Sequence, residues 1–179
     1  MQKQYTLIKA YQQDDLLRES FNNLAKATFS LDFEPWYQQG YWKDNYIPYS
    51  ILDGDRVIAN VSISPMKFIH NSKVIHLIQL GTVMTDPAYR NQGLIRQLIG
   101  EVERDYENKT DGYFLFANNS VFEFYPKFGY KTIKEYEYFK DVNNNTEMTA
   151  QNILLEDKEA RKELEDAIRS SGIQNSFYM

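Results

Sequence analysis

The residues best suited to chemistry lie in Val83-Met84-Thr85-Asp86-Pro87-Ala88-Tyr89-Arg90-Asn91-Gln92-Gly93-Leu94-Ile95. The stretch reads as a buried strand, a stop at Asp86-Pro87, and a polar loop that opens a helix. A helix N-terminus presents unpaired N–H groups and partial positive charge. Gly93 lets a ligand come close to that backbone, and Arg90 and Arg96 add charge-assisted donors. Together these suit an anion such as a pyrophosphate. Taken alone, the pattern is also that of an ordinary strand-turn-helix with one glycine.

Two other groups of residues invite a chemical reading. Asn118 precedes the run Phe124-Tyr125-Pro126-Lys127-Phe128-Gly129-Tyr130. An unperturbed tyrosine keeps its proton at neutral pH (pKa about 10) and can donate it to a leaving group. On residue type alone, Tyr125 reads equally as a core ring beside Phe124 and Phe128. The segment from Phe29 to Tyr49 is dense in rings, and Phe33, Trp36, Tyr37 and Trp42 offer faces that can stack on a cation. The same rings can simply pack on one another. A base is harder to choose: Asp86, Glu123, His76 and the carboxylate after Met179 are all available. His76, on a strand apolar on both faces, reads as a core histidine, and Glu123 as a solvated helix position.

The elements that must position these groups are legible in outline. Tyr5 to Ala10 reads as a strand, and Asp14 or Asp15 as the N-cap of a helix carrying Leu17, Phe21, Leu24 and Thr28 at helical spacing. Asp53-Gly54 marks a hairpin between Tyr49–Leu52 and Arg56–Ile63, with Val57, Ala59, Val61 and Ile63 on one buried face. Asn71-Ser72 marks a second turn into Val74–Thr85, apolar on both faces like a central strand. Gly81 within it predicts a bulge or a close backbone approach. Leu94, Ile95, Leu98, Ile99 and Val102 give an amphipathic helix, and Tyr113 to Ala117 a buried strand, so that Val74 to Ala117 forms a parallel βαβ unit. Asn118 to Tyr125 reads as a short helix stopped by Pro126, and Tyr130 to Lys140 as a strand. Asn143 to Thr146 is a polar joint, followed by a charged helix from Glu156 to Ser170 with Gly172 as its cap. The expected division is a domain over residues 1–142 and a loop and helix over 143–179.

Composition narrows the classes. The 179 residues suit one domain with a core of its own, and 42% hydrophobic residues is a globular composition. A net charge of −5 speaks against a general nucleic-acid binder. The chain has no cysteine, which excludes disulfides, thiolate catalysis and cysteine-ligated zinc and fits a reducing compartment. Only two histidines are present, too few for a multi-histidine metal site. No apolar stretch is long enough for a membrane span, and no apolar segment follows Lys3 as a signal peptide requires. The expectation is a soluble, cytoplasmic protein with neither a nucleic-acid nor a membrane partner. Its many aromatic residues leave a homodimer open.

With these motifs in place, the sequence resembles the GNAT superfamily of acyl-coenzyme A N-acetyltransferases. The family signature is Arg or Gln, two residues, Gly, one residue, then Gly or Ala. It stands here as Arg90-Asn91-Gln92-Gly93-Leu94-Ile95, led in by Pro87-Ala88-Tyr89. Ile95 occupies a position where the family prefers a small residue, and its side chain either crowds the pyrophosphate or points into the core. The second match is Asn118, six residues, then Tyr125, in a segment ending Gly129-Tyr130. The resemblance covers roughly Arg56 to Lys140.

The resemblance implies an α/β (α+β) fold. Its central sheet is mixed and mostly antiparallel, with a parallel βαβ unit splayed at the cofactor site and helices on both faces. It implies acetyl-CoA as co-substrate, no metal, and transfer of the acetyl group to a primary amine by direct attack in a ternary complex. The main chain of Val83, Met84 and Thr85 would pair with the pantetheine arm. Arg90, Asn91, Gln92, Gly93, Leu94 and Ile95 would hold the pyrophosphate. Asn118 would touch the pantetheine, Tyr125 would face the thioester sulfur as the general acid, and Phe33, Trp36, Tyr37 and Trp42 would cover the acceptor. The alternatives are a non-catalytic acyl-CoA-binding module and an interaction domain that keeps only the fold. Such enzymes usually end in two strands after the Tyr125 segment. Here the tail Ile173–Met179 is either the last strand, or the chain is the N-terminal part of a longer protein.

Overall fold

The computed structural model describes residues 5–70, 73–134, 136, 137, 139, 141, 152–154 and 156–170. The expected Asn71-Ser72 turn, the Asn143–Thr146 joint, the Gly172 cap and the tail Ile173–Met179 lie outside these residues. The chain divides into two compact units, the described residues of one running through Lys131 and those of the other beginning at Thr132.

The first unit is built on a five-stranded sheet in sequence order, β1 (Thr6–Lys9), β2 (Ile47–Asp53), β3 (Arg56–His70), β4 (Lys73–Thr85) and β5 (Gly112–Phe114). The β1–β2, β2–β3 and β3–β4 pairs are antiparallel, and β4–β5 is parallel. The hairpin at Asp53-Gly54 forms as expected, with Gly54 at φ 63°. Strand β3 runs seven residues past Ile63, through Pro65. Strand β2 begins at Ile47, opposite Ile63, so beyond that point β3 has no neighbour on that side among the described residues and tolerates a residue without an N–H.

Helices cover both faces. Helix α1 (Asp15–Phe29) starts at Asp14, whose carboxylate accepts from the Leu16 and Leu17 amides, a cap that stabilises by about 1 kcal/mol. It packs on β3 and β4 through Phe21, Leu24 and Ala25, with Trp42, Val57 and Met84 in the same cluster. Helix α3 (Leu94–Asp105) packs on β2, β3 and β4 through Leu94, Ile95, Leu98, Ile99 and Val102, against Ala59, Val61 and Ile63. Val57 does not share their face as the alternation predicts. A register shift at Ile51/Leu52 leaves Ile58 as an extra residue and sends Val57 to the α1 side.

Between Phe29 and Ile47 the ring-rich segment holds one short helix, α2 (Glu34–Gln38). It is clasped to α1 by Arg18, whose side chain is 6% exposed. The guanidinium donates to both Glu34 oxygens, to Asp15 and to the Gln12 carbonyl, and lies 3.7 Å from the Tyr37 ring centroid. The Arg18 cation holds the Glu34 carboxyl below the usual carboxylate range.

Three expectations need correction. The parallel strand β5 ends at Phe114 and does not reach Ala117. Asn118 to Tyr125 is not one helix but a pair of 3-10 turns, Asn119–Val121 and Tyr125–Phe128, and Pro126 sits inside the second, where its missing N–H costs nothing. The described residues of the stretch from Tyr130 to Lys140 take no strand. In the second unit, helix α4 (Lys158–Ser170) forms within the expected charged segment and carries one of its i,i+4 pairs, Arg161 with Glu165 at 3.5 Å.

Candidate active site

The parallel pair is short. Strand β5 meets β4 only at Leu77, Ile78 and Gln79, while β4 runs on to Thr85. The open wedge that remains is the mouth of a cleft of about 810 Å³. Its walls include Val83, Met84 and Thr85 of β4, the loop residues Arg90, Asn91, Gln92, Gly93, Leu94 and Ile95, and Asn118 and Tyr125 across the gap. Every residue expected from the sequence to meet the cofactor therefore lines one cavity.

The loop is shaped by local backbone chemistry. The Asp86 carboxylate accepts from the Ala88 amide at 2.9 Å and pairs with Arg56, and the Asp86 amide donates to the Ile58 carbonyl at 2.8 Å. This anchors the 3-10 turn Pro87–Tyr89. Asn91 (φ 63°) and Gly93 (φ 74°) then both adopt left-handed conformations, and Gly93 is the N-cap of α3. A Cβ built on Gly93 would meet nothing within 4 Å, so the space beside this backbone is open. The first amides of α3 have no carbonyl one turn back, and Gly93, Leu94, Ile95 and Arg96 line the cleft. Arg90, Arg96 and Lys127 line the same cleft, and Arg96 lies over the Phe128 ring at 4.9 Å.

A family model described as "Acetyltransferase (GNAT) domain" matches residues 8–133. The chain belongs to the GNAT acetyltransferase family. The GNAT fold is repeated in solved structures of low identity. An acetyltransferase from Trypanosoma brucei aligns at 15% identity with a TM-score of 0.61, covering 76% of this chain and 99% of its own. A predicted acetyltransferase from Clostridium acetobutylicum, solved with acetyl-CoA, has the same identity and TM-score, with 76% and 96% covered. An aminoglycoside N-acetyltransferase in complex with CoA aligns at 12% identity and a TM-score of 0.62, with 77% and 95% covered. A search of curated proteins gives no match.

In this GNAT domain the oversized signature residue does not obstruct the loop. Ile95 is 8% exposed and packs in the α3 core with Leu94. Met84 is buried in the α1 cluster, so its contribution to the cleft is main chain. Tyr125 sits at the start of the second 3-10 turn, in edge contact with Phe124 and Tyr130 at 5.3 and 6.1 Å between centroids. Burial pushes its phenol pKa up. Asn118 is exposed and extended, and its carbonyl accepts from the Val121 amide.

Phe33, Trp36, Tyr37 and Trp42 are not brought to the cleft; among the described residues none of the four lines it. They pack against one another and against Phe21 and Tyr46. Trp42 is 2% exposed and donates its indole N–H to the Tyr46 carbonyl, so neither its face nor its polar edge is available. The base candidates also fall away. Asp86 is committed to its turn, and His76 and Glu123 are exposed rather than cleft-lining. The carboxylate after Met179 lies outside the described residues. Sequence reasoning missed Thr28, Phe29, Thr82 and Phe116, which complete the walls. Phe29 stood at the edge of the ring-rich run, the one signal that could have found it. Thr82, beside Gly81, gave no sign of its left-handed backbone at φ 47°.

Proposed function

We propose that this GNAT domain is an acetyl-CoA-dependent N-acetyltransferase acting on a primary amine. The observation that carries the reading is the splayed β4–β5 wedge, with all the loop residues and Tyr125 on its walls. The diphosphate of the cofactor would bind the first amides of α3 with Arg90, and the pantetheine would run along the main chain of Val83, Met84 and Thr85 toward Asn118. Two structural neighbours, one solved with acetyl-CoA and one in complex with CoA, support this assignment.

The chemistry is direct. A neutral amine attacks the thioester carbonyl, the carbon–sulfur bond breaks, and coenzyme A leaves with the electron pair on sulfur. Tyr125, kept protonated by burial, donates its proton to that sulfur, while the attacking nitrogen gives up a proton to water and the phenolate is reprotonated from solvent. Holding amine and thioester together supplies much of the acceleration. The acceptor would enter past Phe29 and Phe116, with the aromatic cluster of Phe33, Trp36 and Trp42 as backing for that wall. The lack of cysteine fits a cytoplasmic setting.

The test is the thermal midpoint with acetyl-CoA, free CoA and ATP. A ligand at about 100 times its Kd stabilises by about 2.7 kcal/mol. For a chain of this size that corresponds to roughly 5 to 10 °C. A shift with acetyl-CoA and CoA but not ATP is expected. No shift at saturating CoA would refute the cofactor site.

A further inference from the structure

Thr82 is a β-branched residue at φ 47°, a conformation that costs free energy and persists only where its surroundings over-determine it. It lies at an irregularity between β3 and β4. Gly81 pairs with Ser62 and Met84 with Asn60, so Thr82 and Val83 together oppose Val61. Both Thr82 and Val83 line the cleft.

What holds Thr82 is a fully buried polar cluster beneath it. Ser50, Asn60 and Ser62 are each 0% exposed. Asn60 Nδ2 donates to the Thr82 carbonyl at 2.8 Å and to Ser62 Oγ at 2.9 Å. Asn60 Oδ1 accepts from Ser50 Oγ at 2.8 Å, and Ser50 Oγ in turn is 2.7 Å from the Tyr11 hydroxyl. A carbonyl only accepts, so the amide nitrogen must face Thr82, and the orientation of Asn60 is fixed by its partners. The Tyr46 hydroxyl hydrogen-bonds the Thr82 side chain from another direction. Thr82 is thus gripped by its carbonyl and by its hydroxyl.

The peptide between Thr82 and Val83 is trans, so its N–H points opposite to its C=O. By holding the Thr82 carbonyl, Asn60 turns the Val83 N–H away from the buried cluster. We propose that Asn60 is a positioning residue for acyl transfer, fixing the strained Thr82 peptide so that the Val83 N–H meets the thioester carbonyl oxygen. This rests on the acetyl-CoA reading above. A preorganised donor aimed where negative charge develops is among the strongest catalytic devices available to a protein. The strain at Thr82 is the structural cost of that aim, and the Asn60 amide is what sustains it.

The experiment is isotope-edited infrared spectroscopy of acetyl-CoA labelled with heavy carbon at the acetyl carbonyl. It is bound to the wild-type chain, to Asn60→Ala and to Ser62→Ala, with Kd measured for each by calorimetry. Ser62→Ala removes an equally buried partner of the same Asn60 nitrogen while leaving the Thr82 contact. The wild type and Ser62→Ala should shift the carbonyl band to lower frequency than free acetyl-CoA. Asn60→Ala should lose that shift while keeping a Kd near wild type. Should Asn60→Ala fail to fold, Asn60→Ser takes its place, polar but too short to reach the Thr82 carbonyl. A band in the Asn60 variant identical to that in Ser62→Ala would overturn the proposal alone. Failure of the wild type to bind acetyl-CoA would overturn the cofactor reading and the proposal with it.

Discussion

Tyr125 concentrates the chemistry of the site into one proton. Burial disfavours the phenolate, which raises the pKa above its ordinary value of 10.0. The sign follows directly: the acid form is the active form of a proton donor, and it persists to higher pH than in a free tyrosine. Turnover should therefore show no alkaline loss from Tyr125 between about pH 7 and 9, and any acid limb should belong to protonation of the acceptor amine. Tyr125→Phe keeps the ring contacts with Phe124 and Tyr130 and removes only the hydroxyl that carries the proton. Its kcat should fall about a hundredfold or more, with CoA affinity unchanged. Steady-state kinetics beside CoA titration decide it, and an unchanged kcat would return Tyr125 to the role of a wall residue. At this scale the sequence was informative where a residue type carries its own chemistry. Arg90 and Gly93, picked out by type and spacing, and Asn118 and Tyr125, picked out by the family resemblance, all line the cleft. Thr82 and Asn60 were not picked out, because a positive φ at a β-branched residue and a buried amide grip arise only when two strands slip out of register.

The elements show why the site forms where it does. A strand that outruns its parallel neighbour leaves main chain unpaired, and a left-handed glycine turns the chain into a helix whose first amides face the gap. The periodicity of α1 and α3 and the hairpin at Gly54 were plain in the sequence, since each rests on local residues. The length of β3 was not, because Pro65 is harmless only where β2 has ended. The early end of β5 is likewise a matter of pairing, and Leu115 and Phe116 are as apolar as any strand. Gly93 allows the element-level argument to be tested. At φ 74° an added Cβ is strained, yet it meets no protein atom within 4 Å. Gly93→Ala should therefore fold, losing about 1 kcal/mol to backbone strain. Its Cβ would occupy the space proposed for the diphosphate, so the Kd for CoA should rise far more than the change in stability suggests. Calorimetric Kd against melting temperature separates the two. Equal, small changes in both would mean that no ligand approaches this backbone.

On the scale of the whole molecule, the described walls of the cleft all belong to the first unit. They run from Thr28 to Phe128, and the buried members of both hydrophobic clusters lie between Tyr11 and Val102. The family match likewise ends at residue 133. Helix α4 is charged, and none of its described side chains is buried. An exposed i,i+4 pair such as Arg161 with Glu165 contributes only about 0.3–0.5 kcal/mol. No described residue of α4 therefore supplies apolar burial that the sheet and its two helices would miss. We propose that the unit through Lys131 is sufficient for the fold and for cofactor binding. A chain ending at Lys131 should melt cooperatively and bind CoA with the affinity of the full chain. Calorimetry on the two lengths checks this. Loss of the cooperative transition in the shorter chain would show that the sheet depends on residues beyond Lys131.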